Sequence, residues 1–172
     1  IFTDQIELFI PPRKGRKHVL RLIRELLAFE PQSKGTDIKM ALDKVNQILK
    51  RRSIIFLVSD FMADPDSYRR QLSVTNRRHD LIAVDMNDPL DSDIADVGLL
   101  VVEDPESGAI EWIDTGNKKW QEAFRQRMDK LETDKTRVFR QASVDRIDIN
   151  TDEEYAIPLT RFFQDRSKRI RH

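Results

Sequence analysis

Two side chains of this chain carry oxygen atoms that suit a hard cation, and both occupy positions where α/β proteins bind ligands. Thr36 lies at the predicted start of an amphipathic helix, and Asp60 follows the apolar run 54–58, which predicts a buried strand. Oxygen atoms are the ligands that Mg²⁺ takes in proteins. Thr36 and Asp60 therefore indicate part of a hard-cation site.

Strand and helix patterns alternate along the chain and supply the scaffold for these two residues. Helical spacing of apolar residues predicts helices over 17–29, 36–50, 65–78 and 117–142, and a capping box of Thr151 with Glu154 predicts a final helix from 151. Strands are predicted over 5–10, 54–58, 80–86 and 145–150, and a turn at 104–108 joins 98–103 and 109–114 as a β-hairpin. The polar run 132–135 predicts an interruption of the longest helix.

The alternation predicts an α/β fold with a doubly wound, mostly parallel sheet, because the connections between strands are helices. The run 54–58 is apolar without alternation, which is typical of a central strand covered by helices on both faces. Ligands of such sheets bind beyond the carboxyl ends of the strands. Asp60 lies at that edge by its position after the strand, and Thr36 opens the helix that leads into the same strand.

Composition predicts one globular domain over residues 1–172. The 30 basic and 30 acidic residues balance, so no global field favours nucleic acid or an anionic membrane. The absence of cysteine excludes disulfides and thiolate metal sites and agrees with a reducing compartment, so a cytoplasmic location is expected. No apolar run reaches the roughly 20 residues that span a bilayer. Because the chain opens at Ile1 inside a folded pattern, we expect that the parent protein continues upstream of it.

An ordered string of short motifs resembles a known bacterial family. The motifs are Ile1-Phe2-Thr3-Asp4, Pro12-Arg13-Lys14-Gly15-Arg16, Lys34-Gly35-Thr36-Asp37, Ser59-Asp60-Phe61, Arg78-His79-Asp80, Asp96-Val97-Gly98-Leu99 and Thr151-Asp152-Glu153-Glu154-Tyr155. Together they resemble domain-of-unknown-function family fifty-eight, whose members carry a von Willebrand factor A-like domain. The resemblance covers nearly the whole chain and implies a Rossmann-like fold with a metal-ion-dependent adhesion site, for which Mg²⁺ is the expected cofactor.

The resemblance also implies ligands and partners. In such a site an Asp-x-Ser-x-Ser loop supplies three donors, a later loop a threonine and another strand end an aspartate; Thr36 matches the threonine and Asp60 the second aspartate. The Asp-x-Ser-x-Ser segment would lie upstream of Ile1, so the site is half present. The implied function is non-enzymatic: an adaptor that recognises an unidentified client protein and works with a MoxR-type AAA+ ATPase.

Other readings of the same residues stay open. Thr36 is alternatively the N-cap of its helix, and Asp60 alternatively terminates a strand, which would leave a metal-independent interaction domain with a vestigial site. A Mg²⁺-dependent phosphatase would need an Asp-x-Asp pattern after a buried strand, and the nearest one, Asp91-Ser92-Asp93, falls in a predicted loop.

Two surface features complete the expectations. The basic residues of the last helix, including Arg166 and Arg169, predict a solvated face rather than a nucleic-acid site, because acidic residues are interspersed among them. Loss of the strand that precedes Ile1 would expose an apolar edge beside 54–58, and we therefore expect the chain to self-associate.

Overall fold

The computed structural model of the protein describes residues 1–89, 97–103 and 110–170, which form a mixed α/β fold. Five helices and five strands have defined bounds in this part of the chain. The helices are α1 (Arg16–Leu27), α2 (Ile38–Ile48), α3 (Pro65–Arg78), α4 (Lys118–Ala142) and α5 (Ala156–Ile170). The strands are β1 (Ile54–Ser59), β2 (Asp80–Asn87), β3 (Leu99–Glu103), β4 (Ile110–Asp114) and β5 (Asp145–Asn150).

Three strands form a parallel sheet in the order β1-β2-β5, and β3 pairs antiparallel with β4 as a separate hairpin. Helices lie on both faces of the parallel sheet, as the alternating pattern predicts. The predicted hairpin is confirmed in β3 and β4, whereas its predicted turn lies outside the described residues. Each parallel crossover contains at least one helix, because parallel strands need long connections.

The two faces of the sheet bury separate apolar clusters. The larger cluster packs β1 and β2 against α2, α3 and α4, with Leu42, Leu57, Tyr68 and Val138 among its members. The smaller one packs residues of β2 and β5 against α5. Most of the buried apolar residues in the described part of the chain therefore lie on the face that α2, α3 and α4 cover. The same face carries the polar residues discussed below.

The strand β1 is not the central strand that its apolar run predicts. It lies at the edge of the three-stranded sheet, and Ile54, Phe56 and Val58 are 65%, 47% and 55% exposed. The exposed apolar edge beside 54–58 that the sequence predicts is thus present, whereas the predicted central position is not found among the described strands. On this side, α5 contributes Phe163, whose ring lies 6.2 Å from that of Phe56 in an edge-on contact.

Three further predictions were wrong. The segment 5–10 forms no strand and shows only an isolated bridge between Phe2 and Ile6. The run 132–135 does not interrupt α4, which continues to Ala142. The last helix begins at Ala156 rather than at 151, and the Thr151 hydroxyl makes no capping bond among the described residues.

The helix α1 has an apolar stripe with no buried residue, and Leu27 at its end is 84% exposed. In the described part of the chain, no helix combines the length and the apolar character that a membrane crossing requires.

Candidate functional site at the carboxyl edge of the sheet

The carboxyl ends of the three parallel strands bring oxygen-bearing side chains into one row. Ser59 of β1 is in register with Asp85 of β2, and Asp85 is in register with Asp148 of β5. Because residues in register on parallel strands point to the same face, these three side chains belong to the face that α4 covers. The edge that the sequence predicts to bind ligands is therefore polar on this face.

A cavity of about 630 Å³ opens at this edge. Its walls come from the end of β2, from the segments that follow β1 and β2, from β5 and from the middle of α4. They consist of Asp60, Met62, Met86, Asn87, Asp88, Arg125, Met128, Asp129, Leu131, Glu132, Lys135, Arg146 and Asp148. Five of these residues are acidic and three are basic, so the cavity carries a negative excess.

Asp60 lies at the end of β1, where the sequence predicts it, and its side chain is exposed. Its Oδ1 accepts a hydrogen bond from the backbone N–H of Met62 at 3.2 Å and one from the Ser59 hydroxyl at 3.4 Å. Both contacts are local and turn the chain away from the strand. Asp60 makes no ion pair with any described residue, so its carboxylate charge is available to a ligand.

The turn after Asp60 is held by an unusual residue. Phe61 has φ 52°, in the left-handed region that a bulky side chain rarely adopts. Its ring is fully buried and packs against Phe139 with centroids 5.1 Å apart and against Tyr68 at 6.1 Å. Packing thus enforces a backbone conformation that would otherwise cost about 1–3 kcal/mol. Strained residues of this kind occur preferentially at binding and catalytic sites.

Thr36 precedes α2 but does not cap it. The N-cap is Asp37, whose Oδ1 accepts from the N–H of Met40 at 2.8 Å, while the Asp37 N–H donates to the carbonyl of Thr3 at 2.9 Å. The alternative interpretation of Thr36 as the N-cap is therefore wrong, because the N-cap is the next residue. The Thr36 side chain is exposed, makes no hydrogen bond to a described residue and does not line the cavity around Asp60.

A buried charge network, which the sequence reasoning missed, forms the floor of the site. Asp85 is fully buried, and its Oδ2 lies 3.0 Å from both Lys135 Nζ and Arg146 Nη2. Lys135 also contacts Glu132 at 3.2 Å, and Arg146 contacts Glu132 at 2.6 Å and Asp148 at 2.5 Å. The positive charges of Lys135 and Arg146 are thus each neutralised by at least two carboxylates.

The network shifts the pKa values of its members in opposite directions. Burial raises the pKa of Asp85, and the neighbouring Lys135 and Arg146 offset this only in part. Burial also acts to raise the pKa of Glu132, but the hydrogen bond and charge of Arg146, with Lys135, outweigh it and lower the pKa. Two sequence signals could have found the network. Asp85 interrupts a buried apolar strand, and Lys135 lies four residues after Leu131 and three before Val138, on the apolar stripe of α4.

The described residues do not complete a magnesium site. Mg²⁺ takes about six oxygen ligands in octahedral array, whereas Thr36 and Asp60 supply two. No group of three or more His, Asp or Glu side chains with metal-binding geometry occurs in residues 1–89, 97–103 and 110–170. Asp91 and Asp93, on which the phosphatase alternative rests, lie outside the described residues.

His79 is buried. It follows α3 directly before β2, and neither ring nitrogen has a hydrogen-bond partner among the described residues. Its neighbour Asp80 pairs instead with Arg166 of α5, which also contacts Asp145 at 2.9 Å. Arg166 and Arg169, the latter 3.5 Å from Asp145, thus hold the last helix on the sheet, so Arg166 does not lie on the solvated face that the sequence predicts.

Comparison with known proteins gives a family but no described function. The family described as "Protein of unknown function DUF58" matches residues 1–135. Uncharacterized proteins of Mycobacterium tuberculosis and Mycobacterium bovis are each 26% identical over 161 residues, covering 92% of this chain and 50% of their own length. An uncharacterized protein of Mycobacterium avium is 25% identical over the same length, which is 94% of that protein. The chain thus spans about half the length of the first two relatives. No solved structure matches it significantly.

Proposed function

Because this chain belongs to the DUF58 family of proteins of unknown function, we propose its function from its own site. It is a non-enzymatic protein-interaction domain of von Willebrand factor A type, and it recognises a partner at the carboxyl edge of its sheet around Asp60. The von Willebrand assignment rests on the motif resemblance, and the α/β architecture is compatible with it.

The turn at Asp60 carries the proposal. An exposed carboxylate without an ion-pair partner among the described residues projects from a backbone that the buried Phe61 ring fixes in a left-handed conformation. A rigidly held charge loses little conformational entropy when it binds, so it is suited to recognition. The adjacent cavity of about 630 Å³ offers a recess for a side chain of the partner.

The charges of the cavity favour recognition over catalysis. Lys135 and Arg146 are saturated by Asp85, Glu132 and Asp148, so neither is free to act as an electrophile or a proton donor. No nucleophile lies within hydrogen-bond reach of a histidine base among the residues that the structure describes, which a hydrolase of the triad type would need.

Thr36 and Asp60 are, in this proposal, the part of an adhesion-type Mg²⁺ site that the chain itself contributes. Two oxygen donors do not form a site alone, so the remaining ligands have to come from outside the described residues. A metal-independent interaction domain is the second candidate. Two observations favour it: the described residues lack a three-carboxylate cluster, and Asp60 Oδ1 already accepts from Met62.

The partners proposed are a MoxR-type AAA+ ATPase and a client protein, both in the cytoplasm. This assignment rests on the family resemblance. The site adds a chemical constraint: the residues lining the cavity carry a negative excess, so a contact that does not involve a metal ion is expected to present a basic side chain.

Calorimetric titration of Mg²⁺ and Mn²⁺ into the chain extended upstream, so that the expected Asp-x-Ser-x-Ser segment is included, separates the two candidates. We would compare the wild type with Asp60→Asn and with Asp43→Asn, a matched control, since Asp43 is exposed on α2 and makes no ion pair with a described residue. Saturable binding that is lost only in Asp60→Asn supports the metal-dependent form. The absence of binding in the folded wild type leaves the metal-independent form. Robust phosphatase turnover that Asp60→Asn abolishes would contradict the interaction proposal itself.

A further inference from the structure

Three of the chain's four methionines line the cavity at the carboxyl edge of the sheet. Met62 belongs to the turn after β1, Met86 lies near the end of β2, and Met128 lies in the middle of α4. Met62 is 43% exposed, and the other two side chains are partly buried. Methionine is unbranched, flexible and polarizable, and proteins use it on surfaces that accept apolar partners of different shapes. The cavity thus has an adaptable apolar wall.

One face of α4 adds charge to this wall. Residues three and four positions apart on a helix share a face. The residues of α4 that follow this spacing and line the cavity are Arg125, Met128, Asp129 and Glu132. Glu132 already forms ion pairs with Lys135 and Arg146, whereas Asp129 is exposed and makes no ion pair with any residue that the structure describes. Asp129 is therefore the carboxylate of this helix face that can accept a cationic group from a ligand.

An apolar wall beside a carboxylate of this kind selects a particular ligand. Lysine and arginine side chains combine a long aliphatic stem with a charged end. The stem is complementary to the methionines, and the charged end is complementary to Asp129. An acidic ligand would instead meet the negative excess of the residues that line the cavity. Shape and charge together therefore favour a ligand that is both basic and apolar.

We propose that the cavity binds segments of a partner protein in which lysine or arginine stands next to large apolar residues. The methionines make the cavity tolerant of the exact sequence of the segment, and Asp129 selects its charge. This inference rests on the proposed function, because it names the ligand class of the same site. It adds that apolar contact is required as well as charge, and that Asp129 contributes to recognition independently of Asp60.

Fluorescence anisotropy with labelled peptides tests the ligand class, with the chain extended upstream of Ile1 as the receptor. A short peptide of alternating lysine and leucine is expected to bind. Its glutamate–leucine counterpart is expected not to bind, because its charge is repelled. Its lysine–serine counterpart keeps the charge but loses the apolar contact, and it is expected to bind about tenfold more weakly.

Substitutions in the cavity test where the peptide binds. Asp129→Asn and Met128→Gln are each expected to weaken binding of the lysine–leucine peptide by about tenfold. Glu122→Gln and Met40→Gln are the matched controls. Glu122 is an exposed acid of α4, Met40 is the remaining methionine, and neither lines the cavity. Both controls should leave binding unchanged, and circular dichroism would show that all four variants are folded.

Three results would each overturn the proposal: no binding of the lysine–leucine peptide, equally strong binding of the lysine–serine peptide, or unchanged binding by both Asp129→Asn and Met128→Gln. A failure of this kind is distinguishable from a failure of the proposed function, whose test is the loss of ATPase binding in Asp60→Asn. If Asp60→Asn loses ATPase binding while Asp129→Asn and Met128→Gln keep full peptide binding, the proposed function is retained and only this inference is overturned.

Discussion

Lys135 Nζ lies 3.0 Å from Asp85 Oδ2, and both side chains are almost wholly inaccessible to solvent. The two residues are 50 positions apart, and the contact joins the middle of α4 to the carboxyl half of β2. Desolvation offsets much of the attraction in a buried ion pair of this kind, so the pair adds little net stability. Its main effect is to fix the position of α4 relative to the sheet. The wall of the cavity beside Asp60 depends on that setting.

Removing the lysine is expected to destabilise the protein strongly. Lys135→Met leaves Asp85 buried with only Arg146 as a charged partner, and the free energy of unfolding should fall by about 3 kcal/mol. Urea denaturation followed by circular dichroism measures the change. Lys130→Met, an exposed lysine of the same helix, is the control and should change stability by less than about 0.5 kcal/mol. Equal losses in both variants would mean that the buried pair has no special role.

A glycine at the end of α4 is expected to stabilise the fold. Ser143 caps this helix in the left-handed region with φ 54°, and its side chain is exposed, so little is lost with the hydroxyl. Ser143→Gly should raise the free energy of unfolding by about 0.5–1 kcal/mol, because glycine adopts this conformation without steric cost. Ser143→Ala keeps a Cβ and should show no such gain in the same thermal unfolding experiment.

The hydroxyl of Tyr68 provides a pH-dependent probe of the core beside the site. Burial, followed by the negative charges of Asp85 and Asp64, raises the pKa of Tyr68 above its ordinary value of 10.0. The unfolded chain therefore loses this proton first, so stability should fall as the pH rises above about 10. Tyr155→Phe makes Tyr68 the only tyrosine. Its absorbance near 295 nm should then rise at higher pH in the native protein than in urea, and coincident titrations would contradict the assigned environment.

Most helices and strands of the fold can be predicted from the local spacing of apolar residues in the sequence. The predictions that fail do so for physical reasons. Apolar periodicity predicts α1, α2, α3 and most of α4, because each helix has an amphipathic stripe several turns long. It fails for Lys135, since the long-range partner that makes a buried lysine tolerable is invisible in a local window. It fails equally for β1, whose apolar run does not reveal which neighbours will cover it.

The site is predicted only in part. Asp60 is found at the predicted strand end because an apolar run followed by an acid has a clear sequence pattern. The helix cap is displaced by one residue, from Thr36 to Asp37, and boundaries of this kind are weakly encoded. The left-handed Phe61 has no sequence signal, because phenylalanine is not a turn residue and only tertiary packing fixes its backbone. Whether Thr36 and Asp60 share a metal ion stays a prediction.

The measurement that tests the central claim most directly is the binding of the proposed partner, a purified MoxR-type AAA+ ATPase, to this chain, at constant Mg²⁺. Surface plasmon resonance would compare the wild type with Asp60→Asn and Asp43→Asn, each shown to be folded. Recognition at the carboxyl edge predicts that Asp60→Asn weakens binding by about tenfold or more and that Asp43→Asn does not. Equal binding by all three proteins would contradict the account, because the partner would then be recognised somewhere other than around Asp60.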